Sequence, residues 1–224
     1  MKTTFKSILF GLFFLSTFSV NAQLSMGAKA GIRIASMTGF TAENFGEEGE
    51  EFRTENVIGV DVGAVLSYQV SSLFTIQPEL SYVQKGVKII GSEDGFGTEG
   101  ILRVNNLELT ALAKLTFGSG QVQGYFAAGP SFGYALDGKI ESEVDLLGSP
   151  LKFKMDLDFD EMEFSRTDFG GILGAGVLFN AGPVNLFLDG RYAIGFTNLN
   201  TGDDDIESQN RGISLTFGVL VPVQ

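Results

Sequence analysis

The stretch NLELTALAKLTFG at 106–118 sets a carboxylate at Glu108 and an ammonium at Lys114 among residues that otherwise suit a protein core. Ten such charges share one parity of alternating apolar segments: Lys29, Arg33, Lys85, Lys114 and Arg191, against Asp61, Glu79, Glu108, Asp168 and Asp189. Three chemistries could use them. Two carboxylates such as Asp61 and Glu79 could share a proton and work as acid and base. A file of charges could line an ion path. Or opposite charges could neutralise one another in a buried network, because an isolated buried charge is costly. Equal numbers of each sign favour the network. The sequence has no His, Cys or Trp, which removes imidazole catalysis, thiolate nucleophiles, Ser-His-Asp triads and imidazole or thiolate metal sites. No catalytic residues, cofactor or metal site are expected, and the chain does not read as an enzyme.

Two short motifs fail on their context. Gly95-Phe96-Gly97-Thr98-Glu99-Gly100 has the G-x-G-x-x-G spacing, but a strand pattern follows it where a helix is needed. Glu93, Asp94 and Glu99 would also repel a phosphate. Asp156, Asp158 and Asp160 imitate the start of a calcium loop, yet Glu161 stands where glycine is required and Thr167 where the bidentate Glu belongs. The acidic runs at 47–51 and 203–205 read as solvated loop charge. Weak divalent-cation bridging to lipopolysaccharide is the alternative.

The elements that must carry these residues are strands. Segments 24–34, 58–68, 74–82, 107–117, 126–136, 169–179, 184–196 and 213–223 alternate apolar and polar residues with a period of two, the signature of a half-buried strand. Short connections at 69–72, 118–121 and 180–183 alternate with long acidic ones at 39–55, 86–100, 137–165 and 198–210. Successive hairpins that point to opposite ends in this way suit a membrane barrel. Residues 138–146 and 151–160 are predicted to pair around Gly148-Ser149-Pro150 as a hairpin beyond the membrane, with a bulge between Phe159 and Met162. Its apolar row and free edge could accept a partner strand or pack on the other loops.

Glycine decides which face points inward. Twelve glycines share the charged parity (Gly27, Gly31, Gly59, Gly63, Gly129, Gly133, Gly170, Gly174, Gly176, Gly195, Gly212 and Gly218), against Gly124, Gly171 and Gly190 on the apolar one. Glycine weakens a strand and is useful where backbones converge, as they do inside a narrow eight-stranded barrel. The charges are therefore expected in the lumen and the apolar face in lipid. Tyr68, Phe74, Phe117 and Phe179 near the short turns, and Tyr82, Tyr134, Tyr192 and Phe196 near the long loops, fit an aromatic girdle at each interface.

Residues 1–22 read as a secretory signal peptide, with Lys2 and Lys6, an apolar run from Ile8 to Phe18, and Val20-Asn21-Ala22 before the cleavage point. Removing those two lysines from 15 basic residues leaves 13 against 27 acidic, a formal −14, which argues against nucleic acid and against binding anionic lipid through a basic patch. Residues 23–224 then form one domain. The expected fold is all-β: an eight-stranded antiparallel up-and-down transmembrane β-barrel with a hairpin extending beyond the membrane.

GAKAGI, QPELSYVQKG, LELTALAKL, AAGPSFGYAL, DFGGILGAGV and RYAIGFTNL resemble the strand motifs of the PorT-like outer-membrane β-barrel family common in Bacteroidetes. The likeness runs through residues 23–224. It implies an outer-membrane barrel, and its name-giving member is linked to protein secretion and gliding. It brings no catalytic residues. The terminal Val221-Pro222-Val223-Gln224 departs from the aromatic ending usual in such barrels, and Phe217 is the nearest substitute. Together these readings point to a monomer in outer-membrane lipid with a plugged polar lumen, a structural or interaction role in the envelope, and a protein partner at the extracellular loops. The alternatives are a narrow gated pore and a soluble secreted ligand-binding barrel.

Overall fold

The computed structural model describes residues 23–39, 51–93, 96–146, 149–159, 161–202 and 207–223. The signal segment, most of the acidic run at 47–51, Gly95, Asp160 and the run at 203–205 lie outside them. Nine strands follow in order: β1 (Gln23–Met37), β2 (Glu51–Gln69), β3 (Phe74–Glu93), β4 (Phe96–Phe117), β5 (Val122–Leu146), β6 (Ser149–Asp156), β7 (Thr167–Ala181), β8 (Val184–Gly195) and β9 (Asn210–Pro222). Every pairing is antiparallel, and β1 pairs with β9 while β4 pairs with β5 and β5 with β7. Eight strands thus close a barrel, and β6 adds only to the upper part of β5. Closure leaves no unpaired edge around the cylinder, the condition for crossing hydrocarbon.

The apolar parity faces out. Ile32, Leu66, Leu80, Leu109, Leu173 and Leu215 are exposed, while Lys29, Asp61, Glu79 and Glu108 are buried. A soluble barrel would have the reverse arrangement. Gly27 shows why the inner face is rich in glycine. A Cβ there would strike the Val219 carbonyl oxygen of β9, and one at Gly129 would strike that of Ala111. Outward-facing Gly190 has open space around the same position.

Two of the four connections expected as long loops are largely strand, and most of 39–55 lies outside the described residues. β3 runs on to Glu93 and β4 begins at Phe96, so 86–100 is a hairpin. β2 starts at Glu51 and β5 continues to Leu146. The β5–β6 hairpin forms with Lys139 opposite Asp156 and Leu146 opposite Ser149. Its far end differs from expectation. β6 stops at Asp156, and in place of a bulge the chain turns back, with Glu163 at φ 49°. The strand pattern misled there because Leu157 and Phe159 are apolar in order to fill the barrel mouth rather than to continue a sheet.

The upper parts of β2 to β6 form a rim on one side of the cylinder, and amphipathicity inverts in it. Directly opposed residues share a face, so Glu55, Lys88, Ile101, Glu141 and Lys154 form one outward row. Lys88 pairs with Glu99 at 2.7 Å and Lys154 with Glu141 at 2.6 Å. Inward lie Val87, Leu102, Val104 and Ile140, packed with Leu157, Phe159, Phe164 and Leu199. The change of level coincides with register shifts at Asn56/Asp61 and Asn105/Asn106, where an extra residue re-aims the strand.

Candidate functional site

All ten charges singled out in the sequence are buried inside the barrel, where they form two tiers. They come from strands on every side of the ring, because inward parity repeats on each strand and the twisted register brings distant residues to one level.

The lower tier centres on Glu79. Its Oε2 accepts from Arg191 at 2.6 Å and from Lys29 at 2.9 Å, and its Oε1 accepts from Arg191 at 3.0 Å and from Gln77 at 2.6 Å. Arg191 also grips Asp189 through Nε at 2.7 Å and Nη2 at 2.9 Å. Such paired, forked contacts are the strongest ion-pair geometry available to arginine. Lys29 reaches Asp61 at 3.0 Å, and the Tyr125 hydroxyl donates to Asp189 at 2.6 Å. Lys29 therefore sits between Asp61 and Glu79. Lys114 donates to Gln77 Oε1 at 3.0 Å and lies 3.8 Å above the Tyr125 ring.

In the upper tier, Lys85 bridges Glu108 and Asp168, each at 2.8 Å. Arg33 stands 3.5 Å from Glu108, and Asn210 donates to Asp168 at 2.8 Å. Glu108 and Lys114 thus belong to different tiers. Each tier is neutral by count: three of each sign below, two of each above. The cavity beside the upper tier, between Arg33, Lys85, Glu108 and Asp168, holds about 10 Å³, room for roughly one water molecule.

Apolar plugs bracket the ions. Below, Val65, Leu112, Tyr125, Phe187 and Leu220 share a cluster. Above, the segments after β6 and β8 fold over the mouth. Leu157 and Phe159 are 8% and 3% exposed, and Arg166 lies 4.3 Å over the Phe159 ring. Backbone bonds stitch this cap together, from Ser165 to Leu199 and from Thr201 to Glu163, each at 2.8 Å. Sequence reasoning missed Gln77 and Tyr125, although both have inward parity. It also missed the cap, because Leu157 and Phe159 share a row with Phe153 and Met155, which stay exposed.

The eight girdle aromatics all carry outward parity. Tyr68, Phe117, Tyr134, Phe179, Tyr192 and Phe196 are exposed, and Phe74 and Tyr82 are half-buried. Phe74 and Tyr82 are eight positions apart on β3, which at ~3.3 Å per residue and a tilt of ~40° is about 20 Å, near the height of a barrel's apolar band.

A family model described as "Outer membrane protein beta-barrel domain" matches residues 13–200. The sequence matches no curated protein. Among solved structures, Neisserial surface protein A shares 19% identity at a TM-score of 0.48, with 91% of this chain and 99% of that one covered. The outer membrane protein OprG from Pseudomonas aeruginosa shares 10% at 0.49, covering 92% and 97%. The outer membrane enzyme PagL shares 10% at 0.39, covering 87% and 99%.

Proposed function

The chain belongs to the outer membrane protein beta-barrel domain family, and on that premise we propose that it is a closed, non-conducting barrel with a structural or interaction role in the cell envelope. The sealed lumen carries this reading. Apart from Lys114, which lines the short-turn cavity, the lumenal ions lie between two apolar clusters, and an eight-stranded barrel has an interior only wide enough for side chains. Every lumenal carboxylate among the described residues has a cation within 4 Å, the pairing that a structural charge network needs. Planar-bilayer recording tests the proposal. The purified protein should give no resolved conductance steps, and a steady open-channel current would overturn it in favour of the narrow gated pore.

The interaction half of the proposal belongs to the rim. Its outward charged rows and the edge strand β6 stand beyond the aromatic girdle, where a protein partner could reach them. We assign residues 1–22 to a cleaved signal peptide and 23–224 to one monomeric barrel domain within the PorT-like group, on the strength of the n-region, h-region and strand motifs of the sequence. Surface crosslinking in intact cells should capture neighbours through Lys139 and Lys154, and their absence would leave the structural role alone.

A further inference from the structure

Lys114 is unlike the other lumenal cations. Lys29, Arg33, Lys85 and Arg191 each have a carboxylate within 4 Å. Among the described residues Lys114 has none. Its ammonium donates once, to Gln77, and is otherwise flanked by the ring faces of Tyr125 and Phe187, at 3.8 and 5.4 Å. An ammonium has three donors, so two find no acceptor among the described residues. Lys114 also lines a cavity of about 340 Å³ at the short-turn end of the barrel. That is large enough for a small molecule, whereas the cavity beside the upper tier is not.

The chemistry of the lining is selective. Around Lys114 stand the hydroxyls of Ser25, Ser67, Thr75 and Thr116 and the amides of Asn180 and Asn185. Among the described residues no carboxylate and no second cation line this cavity, although the chain as a whole carries a formal −12. One buried positive charge matches one negative charge, and a ring of neutral hydroxyls and amides matches a hydroxylated body rather than a hydrocarbon one.

We propose that this vestibule binds a small polar monocarboxylate, its carboxylate held by Lys114 and its hydroxyls by the surrounding Ser, Thr and Asn side chains. The proposal is independent of whether the barrel conducts, because the site opens at one end and its floor is the apolar cluster of Leu178 and Leu220.

Gluconate and sorbitol test it, since both are six-carbon polyols and only gluconate bears a carboxylate. The chain has five tyrosines and no tryptophan, so tyrosine difference absorbance of the protein in detergent micelles reports on Tyr125, which stacks on Lys114. Gluconate should give a saturable change and sorbitol none. Lys114→Met should abolish the response, and Asn185→Leu, which leaves every ion pair intact, should weaken it about fivefold, the size of one lost neutral hydrogen bond. An equal response to sorbitol, no saturable response to gluconate, or gluconate binding retained in folded Lys114→Met would overturn the proposal. If Lys114→Met does not fold, unchanged affinity in Asn185→Leu would do so. Tighter binding of inorganic phosphate than of gluconate would overturn the monocarboxylate assignment.

Discussion

Strand β4 crosses two regions built on opposite rules. From Leu107 to Phe117 it turns leucine, alanine and phenylalanine outward and Glu108, Thr110 and Lys114 inward. From Glu99 to Val104, on the same parity, it turns Glu99 and Arg103 outward and Leu102 and Val104 inward, where these pack under Leu157 and Phe159. The solvent on the outer side is what changed. Lipid wets the lower wall, so polar groups retreat into the lumen and must satisfy one another there. Water wets the rim, so the rim is an ordinary sheet with its oily face folded over the mouth. We infer that the level at which the pattern inverts lies at the membrane surface on this side.

The largest test of the comparison lies at the centre of the lower tier. Glu79→Ala would leave Arg191 and Lys29 each short of a partner in a buried site, at a cost of about 3–5 kcal/mol. Urea unfolding in micelles should show that loss, whereas Glu141→Ala, in an exposed rim pair, should cost less than about 1 kcal/mol. Equal effects would mean that the lumenal ions are no more tightly coupled than surface ones. The next test uses one strand and one parity. Ala113→Arg, near mid-membrane, should destabilise by about 2–4 kcal/mol. Ile101→Arg, beside Glu141 on the rim, should stay within about 0.5 kcal/mol. Comparable costs would put the membrane boundary elsewhere.

Leu157→Ala sharpens the picture of the cap. Removing a buried leucine costs about 2 kcal/mol at the low end of the usual range. The expected result is faster proteolysis at 157–166 with unchanged heat-modifiable migration of the barrel, and a shifted barrel transition would show that cap and cylinder unfold together. The smallest effect belongs to Glu141, whose carboxyl is held below the usual carboxylate range by the hydrogen bond and charge of Lys154. A depressed folded value means that its contribution is fully present above the unfolded pKa of ~4.3. It is lost as pH falls through the lower folded value. Amide protection along β6, corrected for the intrinsic exchange rate at each pH, should therefore fall only below about pH 4, while protection in the cylinder stays unchanged.

Much of the cylinder was legible because lipid imposes one rule over its whole height. Ten or so residues of strict alternation, with glycine on the polar parity, fix both the strand and its facing. The rim was not legible in the same way. In residues 86–100 both faces carry mixed residues, Lys88 and Ile90 outward and Val87 and Ile89 inward, so no period stands out and the stretch resembles an acidic loop. At 151–159 one apolar row serves two purposes, with Phe153 and Met155 exposed and Leu157 and Phe159 buried, and only the end of β6 at Asp156 separates them.

From the residues alone came the barrel, the number of its strands, the side that lipid touches and the ten charges that turn inward. A period of two needs only local geometry and a solvent on one face to be read. Which cation meets which carboxylate could not be read in this way. Glu79 finds Arg191 across 112 positions of sequence, and Glu108 and Lys114, on one strand, fall in separate tiers, because register and closure set the level of each side chain around the ring. Folding in three dimensions also left Lys114 with no carboxylate within 4 Å among the described residues and an open vestibule beside it.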